Sequence, residues 1–222
     1  MTYGVIFDMD GVLVDSYRAH FESWLRLAKA HGLTMTEEQF AATFGRTSRE
    51  IIRKFWPDKV KDDAEVTAWD HEKEQDYRDI LMESFPEMKG ASQLLAALHG
   101  GGFKLAIGSS GPPENVRVTM DGLGMAECFG ATVSGADVTH GKPHPEVFLK
   151  AAAKLGLEPK NCAVVEDAPA GVAAAKAAGM AAVAITGTAT RQQLAQADTI
   201  VDCLTQVTPD LVLQLIRRNG GA

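Results

Sequence analysis

The sequence predicts an α/β protein: a doubly wound parallel sheet with helices on both faces, interrupted near its start by an inserted helical bundle. Three observations carry that reading. From Gly90 onward, short apolar runs alternate with helical stretches, the pattern of β-α-β units. A matching apolar run, Val5-Ile6-Phe7, opens the chain far from the others. Between them the composition changes, since residues 16–88 hold 26 charged side chains in 73 positions against 25 in the other 149. The core is therefore read as 1–15 and 89–222, and the helical domain as 16–88.

The first run ends in Asp8-Met9-Asp10-Gly11. Two carboxylates and a glycine directly after an apolar strand lie at the strand's C-terminal end, the edge where open parallel sheets bind ligands. An EF-hand loop beginning at Asp8 would need glycine sixth and glutamate twelfth, but Leu13 and Ala19 stand there. A solvated turn capping the next helix is the plain alternative, so the pair needs distant partners.

The insert reads as helices throughout. Phe21, Trp24, Leu25, Leu27 and Ala28 recur at helical spacing, Gly32 stops that helix, and Thr34 or Thr36 can cap the next. Arg49 to Phe55 and a long stretch from Asp62 to Glu83 continue the pattern, with Pro57 and Pro86 as breakers. All three tryptophans, Trp24, Trp56 and Trp69, fall here, at spacings that suit a bundle core.

In the second part, Lys104 to Gly108, Ala163 to Glu166, Ala181 to Ile185 and Thr199 to Val201 are the strand candidates. Glu114 to Leu123, Pro145 to Leu155 and Ala168 to Ala178 are the helices between them. Lys104–Gly108 runs into Ser109-Ser110, hydroxyl and N–H donors at a turn entering a helix whose first turn tolerates Pro112 or Pro113. Gly141-Lys142-Pro143 puts one lysine in a loop before a helix. Ala163-Val164-Val165 repeats the opening pattern by ending in Glu166-Asp167.

Composition excludes several classes. Twenty-two basic against 29 acidic residues, a net charge of −7, argue against a nucleic-acid partner. Cys128, Cys162 and Cys203 are far apart and odd in number, which suits a reducing cytosol and no disulfide framework. The longest apolar stretch, Ala177 to Ile185, falls far short of the ~18 residues of a membrane span, and no targeting signal is read at the N-terminus. A cytoplasmic protein, monomeric or weakly dimeric and without a membrane partner, is expected. Lookalikes fail on spacing. Five residues separate Gly135 from Gly141 where a P-loop needs four, His71-Glu72 meets Gln75 instead of a second zinc-binding histidine, and Gly108-Ser109-Ser110-Gly111 is not a G-x-S-x-G elbow.

Taken together, Asp8-x-Asp10-Gly11, Ser109, Lys142 and Glu166-Asp167, in that order and each at a strand end or before a helix, resemble the haloacid dehalogenase superfamily over essentially the whole chain. That resemblance implies a Rossmann-like three-layer core with residues 16–88 as a helical cap. His20-Phe21-x-x-Trp24 and the loop Gly45-Arg46-Thr47-Ser48-Arg49-Glu50 look like the β-phosphoglucomutase-like group of phosphatases and phosphomutases. By similarity, Asp8 is the nucleophile and Asp10 the general acid and base. Ser109, Ser110 and Lys142 bind phosphate, while Asp8, the Asp10 carbonyl and Asp167 hold Mg²⁺, with Glu166 near or in its shell. Arg49 and Lys73 reach the substrate from the cap, with His20 near the hinge. Charged helix-face positions are the alternative for Arg49 and Lys73.

The expected activity is Mg²⁺-dependent hydrolysis of a small phosphorylated metabolite through an aspartyl-phosphate on Asp8. The alternative is a β-phosphoglucomutase using the same intermediate; Gly111-Pro112-Pro113 stands where the mutase carries polar residues. Phosphonate cleavage through a Lys54 imine and a catalytically inactive binding module are further readings.

Overall fold

The computed structural model describes residues 1–43 and 46–220, so Gly45 of the loop singled out above lies outside the described residues. The chain packs as two compact units, Met1–Asp15 with Pro86–Ala222, and Ser16–Phe85. The charge pattern predicts a helical insert that runs to Met88. Glu87 instead bridges Val14, and the Met88 N–H donates to the Leu13 carbonyl at 3.0 Å, so those residues belong with the core.

The core is a six-stranded parallel sheet in the order β3-β2-β1-β4-β5-β6. Its strands are β1 (Gly4–Phe7), β2 (Lys104–Gly108), β3 (Phe129–Val133), β4 (Cys162–Glu166), β5 (Ala181–Ile185) and β6 (Thr199–Val201). β1, β4 and β5 are buried along their whole length, which is why they read as unbroken apolar runs rather than alternating ones. Ile6 pairs in register with Ala106 on one side and Val164 on the other, and Val164 with Ala182. These residues share one face, buried with Val147, Phe148 and Ala151 of α7 (Glu146–Leu155) and with Val172 and Ala175 of α8 (Pro169–Ala177). Two further helices, α5 (Ala91–Gly100) and α9 (Pro209–Gly220), pack on β2 and on β4 and β5 respectively.

The strand order places β1 between β2 and β4, where the winding of the chain reverses direction. A crevice opens at such a switch point beyond the carboxyl ends of the strands. Asp8 follows β1, Ser109 follows β2, and Glu166 closes β4, so all three stand at that edge.

The helical unit contains α1 (Tyr17–Ala30), α2 (Glu37–Ala41), α3 (Ser48–Phe55) and α4 (Asp63–Glu83). Thr36, not Thr34, caps α2 through a reciprocal bond pair with Gln39, and Thr47 does the same for α3 with Glu50. Trp24, Trp56 and Trp69 are buried together with Leu27, Phe40 and Ile52, and the Trp56 and Trp69 rings meet edge-on at 6.1 Å.

Candidate active site

Gly11 makes the turn after β1 possible. Its φ of +74° lies in the left-handed region that glycine adopts without strain, and a Cβ there would strike the Asp167 carboxylate. The turn closes through hydrogen bonds from the Gly11 N–H to the Val14 carbonyl (2.9 Å) and from the Leu13 N–H to the Met9 carbonyl (2.8 Å). Asp8 is thereby held at the strand end, its N–H donating to the Val165 carbonyl of β4 at 2.9 Å. Asp10 is half-buried two residues on, paired as a bridge with Val14.

Three carboxylates converge here. Asp8, Glu166 and Asp167 each bring an oxygen within 4.8 Å of the others, and Glu166 and Asp167 are 0% and 3% exposed. Glu166 is seated by the N–H groups of Asp167 (2.8 Å) and Ala168 (2.9 Å), both on Oε2, at the start of α8. Gly171, in the first turn of α8, leaves room for it, because a Cβ there would overlap the Glu166 carboxylate. Asp167 accepts a short hydrogen bond from the Thr188 hydroxyl, which lies beyond the end of β5.

One ammonium answers these charges. Lys142 Nζ donates to Asp8 Oδ1 at 2.8 Å and to Glu166 Oε1 at 2.6 Å, and its side chain is only 9% exposed. Burial alone would favour the neutral amine, but Asp8 and Glu166 outweigh it and hold the Lys142 pKa above the ordinary lysine range. Burial raises the Asp8 carboxyl to about 7 despite Lys142, with Glu166 adding to the rise. The Asp167 carboxyl is pushed well up by burial and by its acidic neighbours.

Each like-charged pair at ~4 Å costs about 4 kcal/mol at an effective dielectric near 20. Three carboxylates sharing one ammonium leave an excess of negative charge, and the donor set is all oxygen. That combination suits a hard divalent cation. A phosphate monoester would deepen the same deficit of positive charge.

The phosphate-binding candidates sit along the same edge. Ser109 is buried, its N–H bonded to the Val133 carbonyl at 2.9 Å, and its Oγ accepts the Gly111 N–H at 3.0 Å. A hydroxyl that accepts one bond can still donate its proton to another acceptor. Ser110 is exposed, and the turn is tied to the loop after β3 by the Gly135 N–H on the Gly111 carbonyl at 2.8 Å. Pro112 and Pro113 take the N-cap and first positions of α6 (Pro113–Leu123), where no N–H is required.

Within the helical unit, the three remaining candidates are all engaged. Arg49 is exposed and pairs through Nε with Asp70 at 3.1 Å. Lys73 does not line a solvated helix face. It is 2% exposed, donates to His20 Nδ1 at 2.8 Å and to Glu74 at 2.9 Å, and lies 5.2 Å from the Tyr77 ring centroid. His20 stacks on Tyr77 with centroids 4.0 Å apart. Lys54 lies over the Phe55 ring at 5.2 Å.

Two contributors, Thr188 and Gly171, are not marked by the motifs in the sequence. Thr188 could have been suspected as a hydroxyl just past a strand end, the position that marked Ser109. Gly171 carries no such signal, since its role depends on where the Glu166 side chain folds back.

Comparison with known proteins follows the same lines. A family model described as haloacid dehalogenase-like hydrolase matches residues 4–179. Hexitol phosphatase A of Escherichia coli K12 is 36% identical over 209 residues, covering 92% of this chain and 93% of that protein. Beta-phosphoglucomutase of Bacillus subtilis 168 is 34% identical over 218 residues, covering 96% and 92%. In three dimensions, a crystal structure of beta-phosphoglucomutase from Clostridium difficile superposes with a TM-score of 0.85 at 26% identity, over 98% of both chains.

Proposed function

The chain belongs to the haloacid dehalogenase-like hydrolases, and from that premise and the geometry above we propose that it is an Mg²⁺-dependent phosphatase of small phosphorylated sugars or sugar alcohols, working through an aspartyl-phosphate on Asp8. The observation that carries this reading is the junction of Asp8, Lys142 and Glu166, with Asp167 beside them, at the switch point of the sheet.

Phosphate monoesters hydrolyse so slowly that up to ~10²¹-fold acceleration is needed, more than any one group supplies. In the first step an oxygen of the Asp8 carboxylate attacks phosphorus, a P–O bond forms, and the ester P–O bond breaks. Asp10 gives its proton to the departing alkoxide. In the second step Asp10, now a carboxylate, takes a proton from water as that water attacks the phosphoryl group. Inorganic phosphate leaves and Asp8 returns as a carboxylate. Lys142 orients Asp8 and offsets phosphoryl charge, while the Ser109 hydroxyl and the Ser110 N–H donate to phosphoryl oxygens.

Asp8, Glu166, Asp167 and the Asp10 carbonyl are the groups that would hold Mg²⁺, which supplies the positive charge the site lacks when substrate enters. In the helical unit, Arg49 and the His20–Lys73 pair are proposed as substrate contacts. No helix among the described residues is long and apolar enough to cross a membrane.

A mutase is the second reading, supported by the 34% identity to the Bacillus subtilis beta-phosphoglucomutase. Gly111, Pro112 and Pro113 speak against it, because none offers a side-chain donor to a second phosphate. A panel of hexose and hexitol phosphates with Mg²⁺ tests the two, following both inorganic phosphate and glucose 6-phosphate formed from β-glucose 1-phosphate. Phosphate release at a steady rate supports the phosphatase. Isomerisation without release overturns it in favour of the mutase.

A further inference from the structure

The loop that carries Lys142 and the first residue of α7 together hold a second cluster of ligating groups. His140, His144 and Glu146 each bring a donor atom within 4.8 Å of the other two. His140 Nδ1 is already 3.3 Å from Glu146 Oε2, and the two imidazole centroids are 4.7 Å apart. Neither histidine is enclosed; both rings are exposed, the His140 side chain 65% so.

Glu146 is built into place. Its Oε1 accepts from the Thr139 N–H (3.1 Å) and Lys150 Nζ (2.6 Å), and its Oε2 from the His140 N–H (3.0 Å). A carboxylate has about four lone-pair sites. Three are taken by these donors, and Oε2 keeps its remaining site within 3.3 Å of His140 Nδ1. The turn is fixed too, since the His144 N–H donates to the Gly141 carbonyl at 3.0 Å.

We propose that His140, His144 and Glu146 form a second metal site, selective for a borderline divalent ion of the Zn²⁺ type and separate from the all-carboxylate cluster at Asp8. Two imidazoles and one carboxylate are the donor set such ions take, with a fourth position open to water. Bonds of about 2.0–2.1 Å in a tetrahedron put ligand atoms roughly 3.3 Å apart. His140 and Glu146 meet that spacing now, and the exposed His144 ring closes the remainder by rotation. Mg²⁺ prefers an all-oxygen shell, so the two sites sort the ions by hardness.

Placement gives the site a consequence. Lys142 lies between the two histidines in sequence, so an ion held by both fixes the two ends of the segment whose lysine binds Asp8 and Glu166. Occupancy therefore stabilises the folded loop independently of any turnover.

The test titrates the full chain with Zn²⁺ in excess Mg²⁺, which keeps the acidic cluster filled, reading both heat of binding and melting temperature. Expected is one Zn²⁺ per chain and a rise in melting temperature that follows its concentration. Affinity should fall roughly tenfold or more in His140→Ala or in His144→Ala, and both signals vanish in the double variant. With Co²⁺ as the probe, the visible bands of an imidazole-bound ion should disappear in the same double variant. No stoichiometric Zn²⁺ binding beside Mg²⁺, or binding by the double variant equal to that of the unmodified chain, overturns the proposal.

Discussion

Lys142 reaches Asp8 from 134 residues away and places its Nζ 2.8 Å from Oδ1. The same ammonium serves Glu166, so its removal leaves two carboxylates without their shared counter-charge. Breaking a buried pair from one side destabilises by roughly 3–5 kcal/mol. Lys142→Met should lower stability by about that amount and kcat/KM by on the order of 10²–10³. Denaturant unfolding and steady-state kinetics check the two effects, and an unchanged midpoint would remove Lys142 from the network.

The acidic cluster predicts an unusual pH dependence in chelator. Burial lifts the Asp8 carboxyl from 3.8 to about 7, and Asp167 moves the same way. Between those limits the folded chain binds more protons than the unfolded one, so stability falls as pH rises. Carboxyls shifted downward, such as Glu146 and Asp202, act with the opposite sign, but only below the ordinary carboxylate range. Melting temperature in EDTA should therefore decline from pH 5 to 7, and Asp8→Asn should flatten the decline. Adding Mg²⁺ should reverse it, because the ion prefers the ionised carboxylates. A melting temperature in EDTA that climbs over this range would refute the assignment.

Thr188 acts through Asp167, donating its hydroxyl to Oδ2. Groups that orient a ligating carboxylate typically change metal affinity by 10–100-fold. Thr188→Val should raise the Mg²⁺ concentration for half-maximal activity by about that factor while leaving kcat at saturating Mg²⁺ less affected, and Thr188→Ser should restore it. Equal losses at all Mg²⁺ concentrations would mean that the hydroxyl does something else.

Gly171 exists in its position because Glu166 occupies the space of a side chain. Alanine there is favoured by helix propensity but overpacks the site, with an expected destabilisation of about 1–3 kcal/mol. A Gly171→Ala chain that is more stable, with normal activity, would contradict the packing described.

Much of this fold is legible in the residues. β2 and β5 stand out as apolar runs because strands covered on both faces carry no polar alternation, while β6 is an edge strand with only Val201 buried and shows only as the short β-branched run Thr-Ile-Val. β3 is not legible in that way. It is an edge strand, Phe-Gly-Ala-Thr-Val, in which only Val133 is buried. α5 and α9 are not among the helices the sequence pattern predicts, although Val212, Leu215 and Ile216 mark the buried stripe of α9. In the candidate site, Asp8 and Glu166-Asp167 are visible because an apolar strand stops abruptly at carboxylates. The meeting of Lys142 with them depends on the path of a loop, and the contribution of Thr188 on a side-chain bond across 21 residues, which no local pattern encodes. Burial of Lys73 is hidden for a similar reason, since His20, Glu74 and Tyr77 that receive it come from two helices.

The covalent role of Asp8 is the claim on which the rest turns. Acid quench of the working enzyme during turnover of a sugar phosphate, followed by peptide mapping by mass spectrometry, measures it directly. A phosphoryl group on the peptide containing Asp8, labile to hydroxylamine and missing in Asp8→Asn along with activity, is the predicted result. Turnover by Asp8→Asn at the rate of the unmodified chain, or a phosphoryl group on another residue, would contradict it.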